Sequence, residues 1–251
     1  MALFMESDIS SIKIKSMRRI MLKLSGEILV GSHQYGLDPD KLLDIAEDIC
    51  NVYKENKQIC IVVGGGNIFR GISGASQGID RVTADGMGML ATVINALALQ
   101  NAIEKNNVPT RVLSAIPMQT ICESFIKRRA IRHLEKGRVI ILAAGTGNPY
   151  FSTDTAATLR AAEMNCDIIF KGTFVDGVYS ADPKKDKNSI RYDKISYKRV
   201  LSDNLKVMDS SAISMARDNN IPMIVFSILE KNSFLNAVLG KGFYTIISEE
   251  K

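Results

Sequence analysis

Seven short runs of apolar, largely β-branched residues recur along the chain, and they constrain its fold more than any other feature. They lie at 20–24, 59–63, 110–113, 139–143, 168–170, 223–226 and 244–247. Helical patterns separate most of them, at 37–54, 84–105, 123–135, 154–164 and 206–219. Strands that alternate with helices require right-handed crossovers, which build a mainly parallel sheet covered on both faces. The pattern predicts an α/β protein, an open three-layer α/β/α sandwich.

The chain is long enough for one large domain or two small ones, with 251 residues of which 46% are hydrophobic. It shows no internal repeat and no low-complexity linker, so we expect a single domain over 17–251. A substrate half would extend to about 165 and a nucleotide half would cover about 166–251. Residues 1–16 lack the apolar core of a secretory signal and predict a mobile tail.

The apolar stretches are far shorter than the ~20 residues that span a bilayer, so we expect no membrane partner. A cytoplasmic location follows as an expectation. The formal net charge is +5, with basic clusters at 127–129 and 184–187. Neither cluster is interleaved with aromatic residues, which favours a solvated helix face or a lid over an anionic ligand; a nucleic-acid surface is the alternative and is not otherwise indicated.

Cysteine and histidine usage excludes several kinds of site. The four cysteines have no C-x-x-C spacing and are interpreted as reduced core thiols. The only two histidines, His33 and His133, leave almost nothing from which to build a zinc site or a Ser-His-Asp triad.

A loop typical of anion binding follows the apolar run 139–142. Residues 143–154 read Ala-Ala-Gly-Thr-Gly-Asn-Pro-Tyr-Phe-Ser-Thr-Asp. Two glycines can expose backbone N–H groups and three hydroxyls can bind phosphate oxygens beside them. These residues are Gly145, Gly147, Thr146, Ser152 and Thr153. The alternative is an ordinary turn in which Thr153 or Asp154 caps the next helix.

Two further loops follow the first two predicted strands. Lys23 to Gly26 places an ammonium group at the end of the first strand, where it can bind phosphate; the alternative is an edge lysine that extends to solvent. Residues 63–71 contain three consecutive glycines and Arg70, whose guanidinium can bind a phosphate in bidentate fashion. The spacing matches neither the Walker loop nor the Rossmann motif, so both of those sites are excluded.

Asp85 and the segment 170–183 complete the candidate loops. Asp85 opens a helix, where it can complement the helix dipole or accept hydrogen bonds from ribose hydroxyls. Residues 170–183 contain the strand-end Lys171, an Asp-Gly turn and Tyr179. The Tyr179 ring can stack on a purine or simply pack in a hairpin.

Five ordered motifs together resemble the bacterial uridylate (UMP) kinases, a branch of the amino acid kinase superfamily. The motifs lie at 23–27, 64–70, 86–93, 145–149 and 175–183, and the resemblance runs from about Arg18 to the end of the chain. It implies the amino acid kinase fold and transfer of the γ-phosphoryl group of ATP to UMP. UDP would be the product, in pyrimidine nucleotide biosynthesis.

The resemblance also implies roles for individual residues. The residues for the ATP phosphates would be Lys23, Leu24, Ser25, Gly26, Gly66 and Arg70. Those for adenosine would be Thr173, Tyr179 and Asp182. The residues that hold UMP would be Gly65, Asp85, Thr146, Gly147, Asn148, Pro149, Tyr150, Phe151, Ser152 and Thr153. The segment associated with GTP activation would be Gly31, Ser32, His33, Gln34, Tyr35 and Gly36.

No general base is needed, because a phosphate monoester with a second pKa near ~6 is already a dianion at neutral pH. We expect Lys23 and Lys171 to flank the transferring group and Asp154 to hold both in place. Mg²⁺ would be carried by the ATP phosphates, without a set of protein ligands. The resemblance further implies a homohexamer with GTP as activator and UTP as inhibitor. The wide apolar face at 37–50 would contribute a subunit contact; the alternative is a helix buried within one chain.

Two rival functions stay open at this stage. One is a related kinase that acts on a carboxylate or a carbamate, and the other is a non-catalytic nucleotide-binding protein. Asp85 argues against the first, and the retained Lys23, Lys171 and Asp154 argue against the second.

Overall fold

The computed structural model describes residues 14–31, 33–69, 78–183, 185–186 and 188–249. Its strands are β1 (Arg19–Leu24), β2 (Gln58–Val63), β3 (Thr110–Ser114), β4 (Glu123–Ser124), β5 (Val139–Ala143), β6 (Ile168–Thr173), β7 (Val178–Tyr179), β8 (Arg191–Tyr192), β9 (Lys194–Ser196), β10 (Met223–Ser227) and β11 (Tyr244–Ser248). Within these residues nine strands form one sheet in the order β4-β3-β5-β2-β1-β6-β10-β11-β9. Neighbouring strands are parallel except β10 and β11. A separate antiparallel hairpin pairs β7 with β8.

The helices cover both faces of the sheet. They are α1 (Pro39–Lys54), α2 (Arg81–Glu104), α3 (Lys127–Glu135), α4 (Thr153–Glu163), α5 (Tyr197–Ser202), α6 (Ser210–Asp218) and α7 (Ser233–Val238). Alternate residues of β1 point to opposite faces: Leu22 packs in a cluster with residues of α1, α2 and α7, whereas Met21 packs with residues of α3, α4 and α6. This period of two divides the core into two layers and confirms the predicted three-layer sandwich.

All seven predicted runs are strands, but some predicted boundaries and elements differ. The helix predicted from residue 123 begins at Lys127, because Glu123–Ser124 pairs alongside β3 as an edge strand. Helices α5 and α7 have six residues each, too few to produce a clear helical period in the sequence. Ile14–Ser16 forms a 3₁₀ turn in which Ile14 is buried, so Ile14 of the predicted tail packs in the core of the domain. Residues 1–13 lie outside the described residues.

Helix α2 is long and apolar enough, by length and composition alone, to cross a membrane. Its buried residues instead pack on the sheet: Val93, Ala96, Leu99 and Ile103 belong to the same core cluster as Leu22. It is therefore explained as a core helix of the sandwich. The opposite side of α2 carries exposed apolar residues, which include Leu90 and Ile94.

The candidate site lies at the carboxyl ends of the central strands. β1 lies between β2 and β6, and all three are parallel, so the segments that follow them meet at one edge. Lys23 of β1 and Lys171 of β6 are register partners. The fold thus brings together two lysines that are 148 positions apart in the sequence.

Candidate functional site

Asp154 binds both strand-end lysines. Lys23 Nζ lies 2.6 Å from Asp154 Oδ1, and Lys171 Nζ lies 3.1 Å from Asp154 Oδ2. The three side chains are largely buried, with exposed fractions of 8% for Lys23, 13% for Lys171 and 16% for Asp154. Lys171 Nζ also donates to the carbonyl of Val207. One carboxylate therefore holds two ammonium groups side by side, as the sequence predicts.

Burial and charge oppose each other in this cluster. Burial alone raises the pKa of Asp154, but Lys23 and Lys171 together outweigh it and hold that pKa below its usual value. The pKa of Lys171 is lowered to about 8, chiefly by burial; Lys23 acts in the same direction, and Asp154 opposes both effects. Asp154 is thus ionised at neutral pH, and Lys171 is charged but can lose its proton in the mildly alkaline range.

The first turn of α4 places Asp154 at this position. The Ser152 hydroxyl accepts hydrogen bonds from the backbone N–H groups of Asp154 at 3.0 Å and of Thr155 at 3.3 Å, so Ser152 caps the helix. The alternative prediction for this segment, an ordinary turn with Thr153 or Asp154 as N-cap, is therefore wrong about which residue caps the helix. Ser152 precedes both, and Asp154 is free to bind the lysines.

Asp209 is a site residue that the sequence did not reveal. Its carboxylate accepts hydrogen bonds from the hydroxyls of Ser152 and Thr155, and from the N–H of Ala212 at 2.8 Å. It also favours the charged form of Lys171. In the sequence Asp209 has the pattern of an ordinary N-cap of α6. Its additional hydrogen bonds to Ser152 and Thr155 become visible only when α6 packs against α4.

The glycines at the ends of β1 and β2 are required by close packing. A Cβ at Gly26 would lie 2.6 Å from the carbonyl oxygen of Gly64, and a Cβ at Gly65 would lie 2.8 Å from Ala91 Cβ of α2. The Gly64 N–H donates to the Leu24 carbonyl at 2.9 Å, which joins the two loops. The predicted residues Ser25, Gly26, Gly65 and Gly66 therefore follow adjacent strands at the same edge of the sheet. Arg70 lies outside the described residues.

The loop after β5 is anchored to α2 at both ends. Thr92 Oγ1 accepts from the Ala144 N–H at 2.8 Å, and Asp85 Oδ2 accepts from the Tyr150 N–H at 2.7 Å. Asp85 also forms an ion pair with Arg81, whose Nε lies 2.8 Å from Oδ2. Asp85 therefore lies beside the predicted UMP loop. The expectation that Asp85 opens the helix is wrong, because α2 begins at Arg81 with Asp80 as its N-cap. Thr92 lies within the motif at 86–93, but the sequence assigned it no contact with this loop.

Within that loop, several predicted UMP residues have defined contacts. Gly147 has a φ of +82°, a conformation that favours glycine. The Asn148 N–H donates to Thr146 Oγ1 at 3.2 Å. The rings of Tyr150 and Phe151 are exposed, by 65% and 55%. Pro149 lies between Asn148 and Tyr150, and Thr153 is the first residue of α4.

The residues predicted for adenosine line one cavity. Thr173, Tyr179 and Asp182 line a volume of about 550 Å³ together with Lys171. The Tyr179 hydroxyl donates to Asp176 Oδ1 at 2.6 Å, and this bond raises the pKa of Tyr179. The cavity therefore extends from the lysine cluster to the β7–β8 hairpin.

The segment predicted for GTP lies beside the glycine loop. The Gly36 N–H donates to the Asn67 carbonyl at 2.9 Å, and Gly31 and Gln34 line a cleft of about 780 Å³ together with Gly66. Tyr35 is 80% exposed and His33 is also exposed. Ser32 lies outside the described residues. This segment therefore adjoins Gly66, a residue predicted to bind ATP phosphates.

Comparisons with known proteins agree with this geometry. The amino acid kinase family model matches residues 18–227. The uridylate kinase of Paramagnetospirillum magneticum is 58% identical over 233 residues, which cover 93% of this chain and 97% of the relative. The uridylate kinase of Zymomonas mobilis is 59% identical over 233 residues, with coverage of 93% and 96%.

Two solved structures are similar over nearly their whole length. The UMP kinase from Ureaplasma parvum superposes with a TM-score of 0.89 at 42% identity, covering 93% of this chain and 99% of that chain. The UMP kinase from Bacillus anthracis superposes with a TM-score of 0.90 at 37% identity, covering 94% and 97%. The chain belongs to the amino acid kinase family, and within it to the uridylate kinases.

Proposed function

We propose that this chain transfers the γ-phosphoryl group of ATP to UMP, giving ADP and UDP. The observation that carries the proposal is Asp154, which holds Lys23 and Lys171 side by side where the segments after β1, β2, β5 and β6 meet. Phosphoryl transfer depends on positioning and on neutralising charge, and this cluster supplies two cations in a protected environment. Membership in the uridylate kinases supports UMP as acceptor and pyrimidine nucleotide biosynthesis as the setting.

In the proposed mechanism a phosphate oxygen of UMP attacks the γ-phosphorus of ATP. A new P–O bond forms as the bond between the γ-phosphorus and the β,γ-bridging oxygen breaks, and ADP leaves with the electron pair. The attacking phosphate is already ionised, so no side chain removes a proton. Lys23 and Lys171 neutralise the charge on the transferring group, and Asp154 holds both ammonium groups in place through its two ion pairs.

A divalent cation accompanies ATP in this proposal, and we take it to be Mg²⁺. Both Asp154 oxygens face lysines, and the part of the chain described here contains no cluster of three or more His, Cys, Asp or Glu side chains. These described side chains are compatible with a cation that is held by phosphate oxygens rather than by protein ligands. When bound, the cation would neutralise phosphate charge and help align the γ-phosphoryl group.

The proposed UMP subsite combines Gly65, Asp85 and residues 146–153. The Asp85 carboxylate lies between Arg81 Nε and the Tyr150 N–H, and its oxygens are the proposed acceptors for ribose hydroxyls. A site built to bind a hydroxyl pair leaves a polar group unpaired when a deoxy substrate binds. We therefore expect UMP to be preferred over dUMP by roughly 10² in kcat/KM.

The test is incubation of the protein with Mg·ATP and, separately, UMP, CMP, dUMP, acetylglutamate or aspartate, with products identified by phosphorus NMR. UDP formation with little product from CMP and dUMP is the expected result. Product from a carboxylate substrate alone would indicate the rival kinase function, and no product at all would indicate a binding protein. Equal rates with UMP and CMP would contradict the proposed subsite.

Regulation and assembly belong to the same proposal. A homohexamer, activation by GTP and inhibition by UTP are consistent with the family, and UTP can compete for the UMP subsite because it carries the same nucleoside. Binding of GTP at 31–36 would place an activator against Gly66, as the contact between Gly36 and Asn67 suggests. The cytoplasm, where ATP and UMP are available, is the proposed location.

A further inference from the structure

Two asparagines with no assigned role form a closed pair behind the glycine loop. Asn95 Nδ2 on α2 donates to Asn67 Oδ1 at 2.7 Å, and Asn67 Nδ2 donates to Asn95 Oδ1 at 3.0 Å. Both residues are buried, with exposed fractions of 0% and 4%. Such a pair is stable only when its remaining donors also find acceptors.

Backbone carbonyls provide those acceptors. Asn95 Nδ2 also donates to the Gly64 carbonyl at 2.6 Å, and Asn67 Nδ2 donates to the Gly36 carbonyl at 2.8 Å. Every N–H group of the two amides is thus used. Rotating either amide by 180° would put its oxygen against a carbonyl oxygen, so the hydrogen bonds determine both orientations.

The bond from Asn95 to Gly64 fixes the peptide plane that follows. In a trans peptide the next N–H points opposite to the carbonyl, so the Gly65 N–H points away from Asn95. The N–H groups of Gly65 and Gly66 have no acceptor among the described residues. The pair therefore leaves these two donors available for an anion.

The same pair supports the end of β1. A Cβ at Gly26 would lie 2.5 Å from Asn67 Oδ1, so the backbone after Lys23 packs directly on the pair. A shift of the Asn67 side chain would move the segments after β1 and β2 together.

We propose that Asn95 is a positioning residue for phosphate binding, which aims the N–H groups of Gly65 and Gly66 at nucleotide phosphate oxygens. It directs the Gly65 N–H by holding the Gly64 carbonyl. It supports the Gly66 N–H through Asn67, whose turn is closed by hydrogen bonds from the Ile68 and Phe69 N–H groups to the Gly65 carbonyl at 3.0 Å. This inference rests on the proposed kinase function, in which Gly65 serves UMP and Gly66 serves ATP. Asn95 itself touches no substrate. Its effect is exerted through the direction of two backbone donors, which make charge-assisted hydrogen bonds with phosphate.

The test compares Asn95→Asp with Gln100→Glu. Asn95 and Gln100 both lie on α2, and each donates from its side-chain amide to a backbone carbonyl outside the helix. The Gln100 Nε2 group donates to the Thr110 carbonyl at 3.1 Å. Each substitution replaces that donating nitrogen with an oxygen. Asn95→Asp sets an oxygen against the Gly64 carbonyl, and we expect KM for UMP and for ATP each to rise about tenfold. Gln100→Glu should leave both KM values within about twofold, because it contacts neither glycine loop.

A second readout reports on the donors themselves. In the wild-type protein labelled with ¹⁵N-glycine, saturating UMP should move the Gly65 amide proton downfield, and ATP should do the same for Gly66. Asn95→Asp should reduce both shifts at least twofold while urea unfolding remains cooperative. Unchanged shifts and unchanged KM values in a folded Asn95→Asp protein would overturn the proposal.

If Asn95→Asp does not fold, Asn95→Ser tests the positioning role instead. The serine hydroxyl is too short to reach the Gly64 carbonyl, and water can fill the space that the shorter side chain leaves. The expected and contradicting results are the same. If the wild-type protein makes no UDP, the kinase proposal fails separately. The amide shift of Gly66 with ATP alone then still supports or overturns the positioning role.

Discussion

At the scale of single residues, Lys171 should make activity and folding stability change in opposite directions as pH rises. Burial lowers its pKa from 10.5 to about 8, so in the free enzyme the ammonium group loses its proton above that pH. The proposed mechanism needs the charged form. Between about 8 and 10.5 the unfolded chain binds a proton that the folded chain does not, so this group makes the folded state more stable as pH rises.

We therefore expect kcat/KM for ATP to be constant from pH 6.5 to about 8 and to fall toward one decade per pH unit above it. The alkaline limb of kcat should lie at higher pH, because bound phosphates favour the charged lysine. Steady-state kinetics across this range measures both. Lys171→Arg, which stays charged, should lack the alkaline limb in its residual activity. A wild-type kcat/KM profile that stays level up to pH 9.5 would contradict the required role of this ammonium group.

At the scale of elements, α2 organises the loops on its inner side. Thr92 holds Ala144, Asp85 holds Tyr150, and Asn95 holds Gly64. One helix thus connects the proposed UMP loop with the glycine loop. The sequence predicts α2 and assigns Asp85 to UMP, but it does not indicate that Asp85 also fixes the loop backbone.

This dual role predicts different effects for two substitutions at one position. Asp85→Asn keeps an oxygen that can accept from the Tyr150 N–H, whereas Asp85→Ala removes both the anchor and the ribose acceptor. We expect KM for UMP to rise roughly tenfold more in the alanine variant, with KM for ATP nearly unchanged in both, as measured by initial rates.

Asp80→Ala is the matched control for the alanine variant. Asp80 caps the same helix through the N–H groups of Val82 and Thr83, and its loss should lower the stability of the folded state without affecting the loop. If Asp80→Ala raised KM for UMP as much as Asp85→Ala does, the anchoring role of Asp85 would be wrong.

At the scale of the whole molecule, α2 presents more exposed apolar surface than α1 does. The sequence predicts a subunit contact at 37–50, but Ile45, Ala46 and Ile49 of α1 are buried within the chain. Leu90 and Ile94 of α2 are about half exposed, as is Leu43 of α1. An apolar face on a 24-residue helix is better suited to a subunit contact than a single exposed leucine.

Light scattering at micromolar concentration should give a mass near six chains for the proposed homohexamer. Leu90→Asp should lower that mass, because a carboxylate is costly in an apolar interface, and Leu43→Asp should leave it unchanged. A decrease only with Leu43→Asp would return the contact to α1. A monomeric wild-type protein whose activity is independent of GTP would contradict both the hexamer and the regulation.

The sequence by itself determined the layers and the strands, because those depend on local periodicity. Its short motifs, through their resemblance to the uridylate kinases, also predicted the lysine cluster. Alternation of apolar runs with helical patterns predicts a parallel sheet, and Lys23, Lys171 and Asp154 stand at positions that such a sheet brings to one edge. Only the tertiary structure decided the contacts between segments far apart in the chain. The bond of Asp209 to Ser152, the bond of Asn95 to Gly64 and the direction of α2's exposed face depend on how elements pack, and side-chain pairing across elements has no signature in local sequence.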